Sequence, residues 1–140
     1  MRFWDSSALV ALLVEESFSQ RALTLAHNDP EILVWALTEV EVVSALWRRR
    51  RAGDLDERSR VAAQRSLDDM VASCTVVSDV DLVAQRARRV LALHPLRAAD
   101  ALQLAAALIG CDDRPDLLPF VTVDDRLGEA AAREGFAVIA

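Results

Sequence analysis

The side chains in this chain best suited to chemistry are carboxylates placed in or beside apolar segments. Asp100 stands near the start of the run Ala98 to Ile109, whose residues from Ala101 onward favour helix and are apolar nearly all round. That pattern predicts a buried helix. An ionised side chain in such surroundings loses hydration worth several kcal/mol, roughly, and needs a cation, hydrogen bonds or a proton. As a first-turn residue Asp100 would also complement the helix dipole, which stabilises by about 0.3–1 kcal/mol, and the stretch alone does not separate that role from a site. Asp5 closes the apolar segment Arg2-Phe3-Trp4, and Asp124 follows Thr122-Val123. Glu39 and Glu41 share one helical segment, where residues two apart point to nearly opposite faces, so one of them at most is expected to enter a pocket. Glu41 stacks with Leu37, Ser44 and Ala45, a small and open face, whereas Glu39 neighbours Val42 and Val43. Periodicity favours Glu41 without deciding the choice.

Acids gathered in one pocket repel. Two unit charges 4 Å apart do so by about 4 kcal/mol at an effective dielectric of 20, so several carboxylates cannot all stay ionised there without a cation. Oxygen ligands with no histidine or thiolate suit a hard ion, magnesium or manganese. The chemistry expected of such a site is attack of water on a phosphodiester, with one or two ions stabilising the attacking and leaving oxygens. A carboxylate, Asp5 or Asp124, can orient or deprotonate the water.

The elements that must position these acids are legible from apolar runs and turn residues. Strands are predicted at Arg2 to Trp4, Glu31 to Trp35, Cys74 to Val77, Leu118 to Val123 and Phe136 to Ile139. Helices are predicted from Ser6-Ser7 through Val14, then at Ser17 to Ala26, Leu37 to Arg51, Asp56 to Ser73, Asp79 to Leu93, Ala98 to about Gly110, and Asp125 to Glu134. In the fifth helix Leu82, Val83, Ala87, Val90 and Leu91 form the expected inward set. Short apolar strands alternating with helices, without hairpin signals, imply a parallel sheet covered on both faces, a three-layer α/β/α sandwich. Ligands of such sheets bind outside the carboxyl ends of the strands. Asp5 and Asp124 should reach that edge, and the helix of Asp100 can point its N-terminus there.

The 140 residues fit one domain, residues 1–140, with a full core and no need of staples. Cys74 and Cys111 have no metal-ligand spacing and read as small buried hydrophobes; His27 and His94 are isolated. Ala8 to Val14 lacks a basic leader and a cleavage site, and no apolar run is long enough to span a membrane, so a cytoplasmic location is expected. The net charge of −6 argues against a polyanion binder working by bulk charge. All basic residues are arginine, and the absence of lysine counts against receiver-like or phosphatase-like sites that use one beside a phosphoryl group.

Four segments carry a family resemblance: Phe3-Trp4-Asp5-Ser6-Ser7-Ala8-Leu9-Val10, Glu41-Val42-Val43-Ser44-Ala45-Leu46, Arg97-Ala98-Ala99-Asp100-Ala101-Leu102, and Val121-Thr122-Val123-Asp124-Asp125-Arg126-Leu127. In this order they resemble the signature segments of PIN-domain ribonucleases, and most nearly the VapC toxins of bacterial toxin–antitoxin pairs. The resemblance implies strand order 3-2-1-4-5, a magnesium- or manganese-dependent endoribonuclease acting on RNA, a homodimer, and inhibition by a small cognate antitoxin. It carries the family's acids onto Asp5, Glu41, Asp100 and Asp124, and its hydroxyl onto Thr122; it also selects Glu41 over Glu39. Gln103 departs from the pattern, standing where many relatives have histidine. The competing reading is an inert PIN-like module that binds RNA or protein.

Outside the acids, Arg97 is the expected phosphate contact or carboxylate partner. Arg48 to Arg51 wrap a helix and cannot all face one groove, so at least two are expected to be solvated. Trp4, Trp35 and Trp47 are expected in the core or a dimer contact.

Overall fold

The computed structural model describes residues 1–140. Its strands are β1 (Arg2–Trp4), β2 (Ile32–Trp35), β3 (Thr75–Val77), β4 (Phe120–Val121) and β5 (Val138–Ile139). Its helices are α1 (Ser6–Leu13), α2 (Ser19–Asn28), α3 (Thr38–Ala52), α4 (Glu57–Val71), α5 (Val80–Leu93), α6 (Ala98–Gly110) and α7 (Asp125–Arg133). All strand pairs are parallel, in the order β3-β2-β1-β4-β5. β1 is central, so the acid at its end stands mid-edge.

Alternation along the strands divides the core in two. Phe3, Leu33, Trp35 and Phe120 face one cluster with α5, α6 and α7; Trp4, Ile32, Val34 and Val121 face another with α1 to α4. The three layers follow from that period of two. In α6, Ala101 and Leu104 to Ala107 are fully buried, which fits the near-continuous apolar pattern and holds its first turn rigidly. Gly110, at its end, lies so close to β2 that a Cβ there would stand 2.7 Å from Leu33 Cδ2. α3 ends at Gly53, whose φ of +83° lets the chain leave in the left-handed region.

Several expected boundaries shift. β4 is shorter than Leu118 to Val123 because only Thr122 N continues the ladder, to Ile139 O; Val123 N turns to Ser7 Oγ and Asp124 N to Thr122 Oγ1. β5 begins late because Phe136 N closes α7 on Ala131 O. In α5 the inward set is narrower than expected: Val83, Ala87 and Val90 are buried, whereas Leu82 and Leu91 are exposed, since one packed neighbour, α6, covers a single stripe. Trp4 and Trp35 are core residues, but Trp47 is partly exposed, with the Arg60 guanidinium 4.1 Å from its ring centroid.

Candidate active site

Asp5 follows β1 and caps α1. Its Oδ1 accepts from Ala8 N at 3.0 Å, and Ser7 Oγ donates to the two carboxylate oxygens at 2.8 and 2.9 Å. Burial pushes its pKa up to about 6, against the pull of those bonds. Asp124 likewise follows β4 and caps α7, its Oδ1 accepting from Leu127 N at 2.8 Å. Both are therefore helix caps and strand-end acids at once. A cap uses one oxygen; the other oxygen of Asp124 has no hydrogen bond from the protein.

Glu41, one turn into α3, is gripped at both oxygens. Ser6 Oγ donates to Oε2 at 2.9 Å, and Gln103 Nε2 donates to Oε1 at 3.2 Å. Burial raises the pKa of Glu41, and the charge of Asp100 adds to the rise. Asp100, in the first turn of α6, is raised by burial and then by Asp124, while Arg97 and Arg126 pull it down. These cross-influences mark one shared electrostatic environment. All four acids line the same cavity, of about 770 Å³, together with Ser6, Ser7, Arg48, Arg97 and Arg126.

Thr122, onto which the resemblance carried the family's hydroxyl, lies directly behind the acids. It is 1% exposed and does not line the cavity. Its Oγ1 accepts from Asp124 N at 3.0 Å and lies 3.4 Å from Ser7 Oγ. The hydroxyl thus joins the supports of Asp5 and Asp124 from beneath. Glu39 is exposed on α3, outside the cavity, and so is Asp125, the first residue of α7.

The arginine run divides by contact. Arg49 Nη2 bonds Glu16 at 2.6 Å, Arg50 Nε stands 3.4 Å from Glu57, and Arg51 lies over Trp47. Arg48 is left to face the acids. Ser6, Ser7 and Gln103 had no individual signal as carboxylate partners. The serines read as helix starters, and only the i, i+2 spacing of Asp5 and Ser7 hints at a local bond. The glutamine, 1% exposed, also exchanges hydrogen bonds with Thr38 across the α3–α6 contact. Arg126 had no signal beyond its nearness to Asp124.

No three carboxylate, histidine or cysteine side chains close on a single point as direct ligands of one ion would. The donor set fits a hydrated hard cation, which keeps several waters and needs only one or two carboxylates directly. Glu41 and Asp100, each raised first by burial and then by a neighbouring carboxylate beside an oxygen-lined cavity, are the electrostatic counterpart of such an ion.

Residues 2–133 match the PIN domain. The chain belongs to the PIN-domain family. Within it, the protein is similar to ribonuclease VapC45 of Mycobacterium tuberculosis (strain CDC 1551 / Oshkosh), with 36% identity over 106 residues covering 76% of this chain and 74% of that protein. The fold matches PAE2754 of Pyrobaculum aerophilum with a TM-score of 0.69 and 26% identity, over 98% of this chain and 81% of that one. It also matches a chain of a toxin–antitoxin complex from Klebsiella pneumoniae with a TM-score of 0.66, over 100% of this chain and 97% of the other. At 14% identity that second likeness concerns the PIN fold alone. The sheet of this PIN domain runs 3-2-1-4-5, in a fold that the solved PAE2754 structure matches over 98% of this chain.

Proposed function

We propose that this PIN-domain protein is an endoribonuclease that hydrolyses RNA phosphodiester bonds with magnesium or manganese, and that it acts as the toxin of a bacterial toxin–antitoxin pair. The observation that carries the reading is the convergence of Asp5, Glu41, Asp100 and Asp124, from four separated segments, on one cavity that also holds Arg48, Arg97 and Arg126. Similarity to a protein named a ribonuclease supports the substrate class. On this reading the 140 residues form one nuclease domain.

Asp100, Asp124, Asp5 and Glu41 would hold the cation. When bound, it supplies charge for the developing alkoxide and lowers the pKa of water. The chain's own residues do the rest. Arg97 and Arg126, already coupled to Asp100, offset phosphate charge beside the acids. Ser7 and Thr122 fix Asp5 and Asp124, while Ser6 and Gln103 hold Glu41 in one orientation. Asp124, whose second oxygen accepts no protein hydrogen bond, would orient or deprotonate an attacking water, with Asp5 the other strand-end candidate.

The toxin role predicts a small antitoxin encoded beside this chain, in line with the family likeness, and a cytoplasmic site of action. No helix is long and apolar enough to cross a membrane. A homodimer belongs to the same proposal, and Leu82, Leu91 and Leu93, exposed on α5, are side chains that a second copy could cover. The test is incubation of the purified protein with total RNA. Fragments in manganese or magnesium, none in EDTA, and suppression by a small co-purifying partner are the expected results. RNA bound but left intact under every metal condition would identify an inert binding module instead.

A further inference from the structure

A second cavity, of about 500 Å³, lies beside the acidic one at the junction of α5 and α7, and is lined by His94, Pro95, Arg126, Glu129, Ala130 and Arg133. Pro95 and Arg126 line both cavities, so the two are adjacent and share a wall. Arg126 lines the acidic cavity together with Asp100 and also walls the second space. Arg133, seven residues and about two turns further along α7, repeats its face. Both guanidiniums are exposed and neither forms an ion pair with the protein.

The acids nearby have been dealt with unequally. Glu134, next to Arg133 in sequence, does not line the cavity, because its Oε1 is held 2.7 Å from His94 Nε2. His94 is itself buried, with its Nδ1 lacking any partner. Glu129 is the one carboxylate left in the wall, against two arginines. On the opposite flank, the groove between α1 and α3 has Arg48 and Arg49 balanced by Glu16 and Asp54, and Arg49 is already bonded to Glu16. Both flanks adjoin the acids, but only the α7 flank has more arginines than carboxylates in its lining, with neither arginine paired.

We propose that the Arg126–Arg133 cavity is a subsite for a backbone phosphate of the RNA strand flanking the scissile one, with Arg133 as its outer anchor. The inference rests on the nuclease reading and adds the path that the substrate strand takes, from the acids out along α7. A phosphate contact positions the strand without reading its sequence.

Binding of a fluorescently labelled, random-sequence single-stranded RNA to the Asp100→Asn protein, measured against salt, tests the subsite. Each phosphate contact in a single strand contributes about −0.7 to the slope of log K against log salt. Arg133→Ala should flatten the slope by about that amount, Arg133→Lys should largely retain it, and Glu129→Gln should tighten binding. Arg21→Ala, on α2 and outside this cavity, should leave the slope unchanged. An unchanged slope in Arg133→Ala, or equal flattening by Arg21→Ala, overturns the subsite even where the wild type cleaves RNA. Absence of both binding and cleavage would overturn the nuclease reading and the subsite together.

Discussion

Asp5→Asn should stabilise the metal-free protein while removing its activity. Burial raises the Asp5 pKa from 3.8 to about 6. Because the folded pKa lies above the unfolded one, the unfolded chain loses its proton first as pH rises. Stability therefore falls between about pH 4 and pH 6 and levels off above that window. A shift of about two units corresponds to about 3 kcal/mol at 1.36 kcal/mol per unit. Asparagine keeps an acceptor for Ala8 N and Ser7 Oγ, while its new amide protons need partners whose absence would cost about 1 kcal/mol or more. The net expectation in EDTA above pH 6 is a gain of about 1–2 kcal/mol, or roughly 2–8 °C in Tm for a domain of this size. Urea unfolding at pH 4 and pH 7.5 measures it. The variant should be less stable than the wild type by about 1 kcal/mol at the acid end and more stable at the other. Manganese at 100 times its Kd should then return about 2.7 kcal/mol to the wild type and little to the variant. A variant less stable than wild type at pH 7.5 in EDTA, or an advantage independent of pH, would refute the reasoning.

Other substitutions probe the supports. Gln103→Ala releases one oxygen of Glu41 and should lower metal affinity or cleavage rate about 10–100-fold with the fold intact, as seen in metal titrations of activity alongside circular dichroism. Arg48→Ala should weaken RNA binding, whereas Arg50→Ala, whose guanidinium is occupied by Glu57, should not; fluorescence anisotropy distinguishes the two. Gly110→Ala forces a Cβ against Leu33 and should cost about 1–3 kcal/mol in denaturant unfolding without changing the site's chemistry.

Sheet and site were unequally legible in the sequence. The strand-end rule located Asp5 and Asp124 because apolar segments of β1 and β4 stop at carboxylates, and the apolar run of α6 announced a rigid berth for Asp100. Glu41 needed the resemblance, since helical periodicity left Glu39 open. What stayed hidden depends on side-chain partners distant in the chain: Gln103 meets Glu41 only when α6 packs beside α3, and Ser7 meets Val123 N only when β4 docks against β1. The resemblance carried the family's hydroxyl onto Thr122, but that it accepts from Asp124 N was visible only in the packed structure. The exposure of Leu82 and Leu91 likewise reflects how much of α5 its neighbour covers, which its own periodicity does not contain.

The central claim is that the four acids hold a hard cation for RNA cleavage. It is tested most directly by titrating manganese into wild type and Asp100→Asn side by side, with bound metal and RNA cleavage rate followed in the same samples. The account predicts that the wild-type rate saturates with metal occupancy, and that the variant loses both, with fold and thermal stability retained. Equal cleavage by the two proteins, or wild-type cleavage that persists in EDTA, would contradict it.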